Sequence, residues 1–114
     1  MKATEYINGV CPVGVTVGMV GGKWKIAILW QLNSKTKRFN ELHRDLPGGI
    51  SQAVLTGQLR ELEKDGLVYR EIYKEVPPRV EYSLTELGQS FIPVIVRMGE
   101  WGRDYLLNKQ AVEK

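Results

Sequence analysis

Cys11 is the only thiol in this chain and His43 the only imidazole. A thiol paired with an imidazole is the least equipment for Cys–His nucleophilic catalysis, and clustered Cys and His side chains are the commonest zinc ligands. Here the two lie far apart in sequence, no motif supplies an orienting acid, and no glycine-rich phosphate loop is present. A single cysteine also excludes an intrachain disulfide framework and a cysteine-based metal cluster. The expectation is a protein that is not an enzyme, with no catalytic residue, no metal and no cofactor. What is left to Cys11 is its own reactivity, because a helix N-terminus can lower a thiol's pKa. The alternative is a helix-start cysteine that packs as a small apolar residue.

The other residues able to act on a partner are basic. The net charge is only +3, yet it is unevenly placed. No acid falls between Pro12 and Asn40, where Lys23, Lys25, Lys35, Lys37 and Arg38 lie, and most acids follow Arg60. A local basic field suits an anionic partner such as nucleic acid; the alternative is a solvated surface with uneven charge.

The segment Ser51–Lys64 has the design of a helix that enters the major groove of double-stranded DNA. Leu55, Leu59 and Leu62 share one face and pack inward. The opposite face carries Ala53, Gly57, Arg60 and Lys64, flanked by Gln52 and Thr56. Gln can hydrogen-bond an adenine edge, Thr meets a base or a phosphate, and Arg60 reaches a phosphate or a guanine. Glycine in mid-helix costs about 1 kcal/mol against alanine, so Gly57 needs a reason. Either it lets the backbone approach DNA, or it relieves crowding inside the protein. Ser51, Gln52, Ala53, Thr56, Gly57 and Arg60 form the candidate reading set. Lys23, Lys25, Lys37, Arg38 and Lys64 are candidate phosphate contacts, each with a solvated side chain as the alternative. Lys74 and Arg79 flank the tip of a candidate wing. Arg79 follows the stiff Pro77-Pro78 turn and is a candidate for minor-groove insertion, or else it pairs with Glu75 or Glu81.

These residues need elements to hold them. Pro12–Val20 reads as a first helix, with proline in its first turn, and Gly21-Gly22 ends it. Lys23–Asn33 is nearly apolar throughout and reads as a helix buried on most sides. Phe39, Leu42 and Leu46 give a short third helix over about 38–46, stopped by Pro47-Gly48-Gly49. Ser51 is the N-cap of the fourth and Gly66 follows its end. Leu67–Lys74 and Arg79–Leu84 read as two antiparallel strands. Thr85 caps a long last helix in which Leu87, Phe91, Val94, Met98, Trp101 and Tyr105 lie on one stripe. Ile92, Ile95 and Leu106 belong to a second apolar strip, and Pro93 is a candidate kink. The fold class is α+β, mainly α, in the order of a winged helix-turn-helix with a two-stranded wing. The expected organisation is one domain over 1–114 with a core over about 11–105. The N-terminus lacks a signal-peptide pattern, and the uncharged Val10–Gly22 stretch is too short and too broken to span a membrane. A cytoplasmic protein with no membrane partner is expected.

The motifs taken together resemble the HxlR-type helix-turn-helix transcriptional regulators. They are Cys11-Pro12, Gly21-Gly22-Lys23-Trp24, Arg38-Phe39-Asn40-Glu41-Leu42, Leu59-Arg60-Glu61-Leu62-Glu63-Lys64-Asp65-Gly66-Leu67-Val68 and Val76-Pro77-Pro78-Arg79-Val80-Glu81-Tyr82-Ser83-Leu84-Thr85, followed by Leu87-Gly88. The resemblance covers about Cys11 to Trp101. It implies a bacterial or archaeal regulator, related to the MarR group, acting as a homodimer on a pseudo-palindromic operator. It further implies dimerisation through the first and last helices, over about 6–20 and 86–110, with Ile92, Ile95, Met98, Trp101 and Leu106 in the interface. Some members of the family sense electrophiles, quinones or hypochlorite through a cysteine near the first helix. Cys11 matches that position, which makes it a candidate redox sensor for a small electrophile or quinone effector. Two features depart from the family pattern: the Pro47-Gly48-Gly49-Ile50 turn is one residue longer than the common form, and Gly57 stands where a longer side chain is usual. The competing reading is a winged-helix module for protein–protein contact without a DNA role.

Overall fold

The computed structural model describes residues 2–113, with side chains described as far as residue 109. Five helices and three strands follow one another as α1 (Pro12–Val20), α2 (Lys25–Ser34), β1 (Lys37–Arg38), α3 (Phe39–Asp45), α4 (Gln52–Lys64), β2 (Val68–Tyr73), β3 (Arg79–Leu84) and α5 (Glu86–Glu113). The mainly helical winged helix-turn-helix is as expected. The sheet differs in one respect: it has three strands, in the order β1-β3-β2, all antiparallel. Lys37 and Arg38 pair with Tyr82 and Glu81. A two-residue strand is too short to leave an alternation in the sequence, so the expectation of two strands missed it.

Helix ends follow their caps. Ser51 Oγ accepts from Val54 N at 3.1 Å and starts α4. Glu41 Oε1 accepts from Arg38 N at 3.0 Å and starts α3; that hydrogen bond is the main reason the Glu41 carboxyl sits below its ordinary value. Helix α2 begins later than Lys23, with Trp24 as its N-cap. The core gathers Ile28, Leu29 and Leu32 of α2, Leu42 of α3, Leu55, Leu59 and Leu62 of α4, and Val68 of β2. Leu55, Leu59 and Leu62 lie at helical spacing, so α4 is fixed along one face only and its opposite face stands free.

The turn between α3 and α4 is held from both sides. His43 Nε2 lies 2.8 Å from the Ile50 carbonyl oxygen and donates to it. Gly48 has φ +91°, and an added Cβ would lie 3.2 Å from the Trp24 ring. At the other end of α4, Thr85 Oγ donates to the Gly66 carbonyl at 2.6 Å and accepts from Gly88 N at 3.0 Å. This couples the start of α5 to the root of the sheet.

One buried cation needs its partners. Lys37 is buried, and its Nζ donates to Gln31 Oε1 at 2.8 Å and Asp45 Oδ2 at 3.0 Å. The Lys37 hydrogen bond, followed by that from Arg44, holds the Asp45 carboxyl below its ordinary 3.8. A carboxylate of depressed pKa stabilises the fold fully above its unfolded value and loses that contribution as pH falls through the lower folded value. Asp45→Asn should therefore flatten the acid limb of stability below about pH 4, as read by thermal melts across pH; an unchanged acid limb would place the acid sensitivity elsewhere.

Candidate nucleic-acid interface

The free face of α4 carries Gln52, Ala53 and Lys64, all exposed, with Gly57 half-exposed between them. Nothing lies within 4 Å of where a Gly57 Cβ would stand. Crowding inside the protein is therefore not the reason for this glycine. The open space there is compatible with close approach by a partner outside the protomer. Gly57→Ala should stabilise the free protein by up to about 1 kcal/mol while weakening binding to duplex DNA. Binding that is unchanged or tighter would remove Gly57 from the interface.

The basic residues divide into two groups. Lys23, Arg38, Arg60, Lys64 and Lys74 are exposed, and among the described residues none forms an ion pair. Lys23 Nζ rests 4.9 Å from the centre of the Trp24 ring. Lys25 and Lys37 do not belong with them. Lys25 is buried and reaches Glu61 Oε1 at 3.7 Å, bridging α2 to α4. Lys37 is spent on Gln31 and Asp45, as described above. A buried ammonium already paired cannot reach a phosphate without leaving its carboxylate unpaired. Lys25 and Lys37, two of the four lysines expected at the phosphates, are thus internal ties that seat α4 and α3.

Arg79 is corrected in the same way. Its guanidinium lies 4.1 Å from the centre of the Tyr73 ring, with Nη2 at 3.2 Å from Glu75 and Nη1 at 3.4 Å from Glu81. Tyr73 donates to Glu71 Oε2 at 3.1 Å, and this hydrogen bond raises the pKa of its phenol. The paired reading of Arg79 holds, and the guanidinium organises the wing turn. Sequence pattern could not separate the two readings, because the acids that claim Arg79 come from both sides of the turn.

A further arginine enters the site. Arg70 pairs across the ladder with Tyr82, on the sheet face that begins with buried Val68. Arg70 and Tyr82 line a cleft of about 180 Å³ together with Thr56, Leu59, Arg60 and Glu63 of α4. The strand alternation placed Arg70 with Val68 and Ile72, but nothing in sequence showed that this face meets α4.

Cys11 is half-buried and caps α1, its Sγ accepting from Gly14 N at 3.4 Å. Ile95, expected at a dimer interface, is instead in the protomer's own core, with Ile92 packed beside it. Met98, Trp101 and Leu106 are exposed at 49%, 72% and 58%. Met98 and Trp101 lie off the stripe of α5 through Gly88, Ile92 and Ile95 that packs on the protomer, whereas Leu106 continues that stripe about three turns beyond Ile95, the last α5 residue in the core.

The helix-turn-helix geometry, the free face of α4 and the sheet beside it agree with the comparisons. The family model for the HxlR-like helix-turn-helix matches residues 19–110. The chain belongs to this family. It is a family of transcriptional regulators, not of enzymes. The chain is 54% identical over 104 residues to the helix-turn-helix-type transcriptional regulator YdeP of Bacillus subtilis, covering 91% of this chain and 78% of that protein. It is also similar to two solved structures of the redox regulator HypR. The reduced form matches at 48% identity with TM-score 0.78, over 90% of this chain and 97% of that one. The oxidised form matches at 51% identity with TM-score 0.76, over 82% of this chain and 96% of that one. No helix among the described residues of this HxlR-like regulator is long and apolar enough to cross a membrane.

Proposed function

We propose that this HxlR-like regulator binds a pseudo-palindromic operator in double-stranded DNA as a homodimer, with α4 of each protomer in a major groove. The observation that carries the reading is the free face of α4: Gln52, Ala53 and the open backbone at Gly57, beside unpaired cations. Ser51, Thr56 and Arg60 complete the reading helix. Lys23, Arg38 and Lys64 supply phosphate contacts, and Lys74 supplies an exposed cation near the wing tip.

The dimer is supported by shape and by exposed apolar surface. The radius of gyration is 16.7 Å, against about 13 Å for a compact chain of this length. Helix α1 has no charged residue, yet exposes Val13, Val15 and Val17. The outer part of α5 exposes Met98, Trp101, Tyr105 and Leu106. So much unpaired apolar surface on one small chain is the mark of a protein interface. A two-fold dimer would place two copies of α4 about one helical turn of DNA apart.

Cys11 is the residue through which an electrophile or quinone would act, and similarity to a redox regulator solved in two oxidation states supports that assignment. With no second thiol in the chain, the chemistry is alkylation, a mixed disulfide with a small thiol, or a bridge to Cys11 of the second protomer. A footprint on the DNA upstream of the protein's own gene, with and without diamide, tests both parts. A protected palindromic site is expected, with occupancy altered by diamide in the parent protein and unaltered in Cys11→Ser. No protection on any duplex at low salt would overturn the DNA reading and favour the protein–protein module. A diamide response that persists in Cys11→Ser would remove the thiol from the signal.

A further inference from the structure

Arg60 was placed among base readers by sequence position, but the cleft it lines points to a different partner. Thr56, Leu59, Arg60 and Glu63 recur at the spacing of one helical stripe, and that stripe borders the sheet. Ala53, Gly57 and Lys64 occupy the neighbouring stripe, which faces away from the protomer. Arg60 therefore stands at the edge of α4, between its free face and the wing. Arg70 lines the same cleft from β2, on the same sheet face as Tyr82. Both arginines are exposed, and among the described residues neither has an ion-pair partner. Glu63 also lines the cleft, which leaves it a net positive charge from two guanidinium groups and one carboxylate.

We propose that Arg60 and Arg70 form a clamp for a single phosphodiester of the DNA backbone, seated in the cleft between α4 and β2. This rests on the DNA-binding reading above and, within it, moves Arg60 from the bases to the backbone and adds Arg70. Two guanidinium forks suit the tetrahedral oxygens of one phosphate. A helix lying in the major groove has the backbone of one strand along its edge, which is where this cleft opens. Thr56 Oγ already donates to the Gln52 carbonyl at 2.9 Å, so the hydroxyl is not the anion's donor. The clamp fixes the register of α4 without reading sequence, and the bases are left to Gln52, Ala53 and the backbone at Gly57.

The test uses the full chain and a labelled duplex of scrambled sequence, titrated against potassium chloride by fluorescence anisotropy. Each neutralised phosphate contributes about 0.9 to the slope of log K against log salt. Arg60→Gln and Arg70→Gln remove exposed groups and leave the core intact. If both hold one phosphate, the double variant lowers the slope by about 0.9 in total, and the single variants are not additive. An additive fall of about 1.8 means two separate phosphates and overturns the clamp, as does an unchanged slope. Glu63→Gln should tighten binding by removing the opposing carboxylate; weaker binding would count against the clamp. Selection from a randomised duplex pool supplies the second readout. Arg60→Gln should enrich the same motif as the parent protein, and loss of preference at one base pair would make Arg60 a base reader instead. Inorganic phosphate separates a free anion from DNA: arginine Nε–Hε shifts produced by phosphate but not by duplex would overturn the assignment. If the parent protein binds no duplex at all, the DNA reading fails and takes the clamp with it; if it binds and only the slopes are unmoved, the clamp alone fails.

Discussion

Gly88→Ala should be the most destabilising alanine substitution at any glycine in this protein. A Cβ at that position would overlap the Leu67 carbonyl oxygen and stand 3.2 Å from both the Leu67 carbonyl carbon and a Leu84 methyl. The obstacle is backbone, so no rotamer change relieves it. The same helical turn is tied down by Gly88 N donating to Thr85 Oγ, whose hydroxyl donates in turn to the Gly66 carbonyl. Either α5 lifts off the sheet or the root of β2 moves, and both disturb buried Leu67 and Val68. Overpacking of a core costs about 1–3 kcal/mol where side chains can yield; against backbone, a loss of about 3 kcal/mol or more is expected. At roughly 4 °C per kcal/mol or more for a domain near this size, Tm should fall by more than about 10 °C. Gly57→Ala is the internal control, because it makes the same change on a helix where nothing lies within 4 Å. The two variants should move Tm in opposite directions. A Gly88→Ala melt within a degree or two of the parent would mean that this contact is not rigid.

Met98→Glu with Trp101→Glu should turn the proposed dimer into a folded monomer. In the protomer both side chains are exposed, and Trp101 stacks on Tyr105, with ring centres 5.8 Å apart. Charging them costs the protomer little, so helical content and near-native melting cooperativity should persist. In a dimer that covers them, each aromatic or methionine anchor lost costs about 2 kcal/mol or more. Two-fold symmetry repeats both substitutions, so four such losses raise Kd by roughly a million-fold, before the burial of four carboxylates is counted. Light scattering at micromolar protein should then report the monomer mass, and affinity for a two-half-site duplex should fall with it. A folded protein of unchanged mass would remove this face of α5 from the interface. Ile95→Glu makes the contrast. Because Ile95 belongs to the protomer's own core, that change should unfold the chain rather than split a dimer.

Much of this protein is legible in its sequence because much of it is local. Leu55, Leu59 and Leu62 at helical spacing specify α4 and its inward face. Ser51 and Thr85 specify where two helices start, and Gly48, Gly66 and the Pro77-Pro78 pair mark where the chain turns. The combined motifs, read as one pattern, specify the family. Each of these signals depends on neighbours within a turn or two of the chain.

Partnership across the fold was not legible in this way. Lys23, Lys25, Lys37 and Arg38 look alike as a basic run, yet Lys25 and Lys37 are buried on Glu61 and Asp45 while Lys23 and Arg38 stay in solvent. Arg70 and Arg79 sit on two strands of one ribbon. Pleat puts them on opposite faces, with Arg79 on Glu75, Glu81 and Tyr73 and Arg70 in the cleft that Arg60 also lines. Sequence by itself determined the five helices and the two long strands, the Ser51 and Thr85 caps, the absence of a second thiol and the stock of cations. Tertiary structure alone decided which cations are free, because a charge is claimed by whichever carboxylate the packing brings within reach, and that carboxylate can come from any part of the chain.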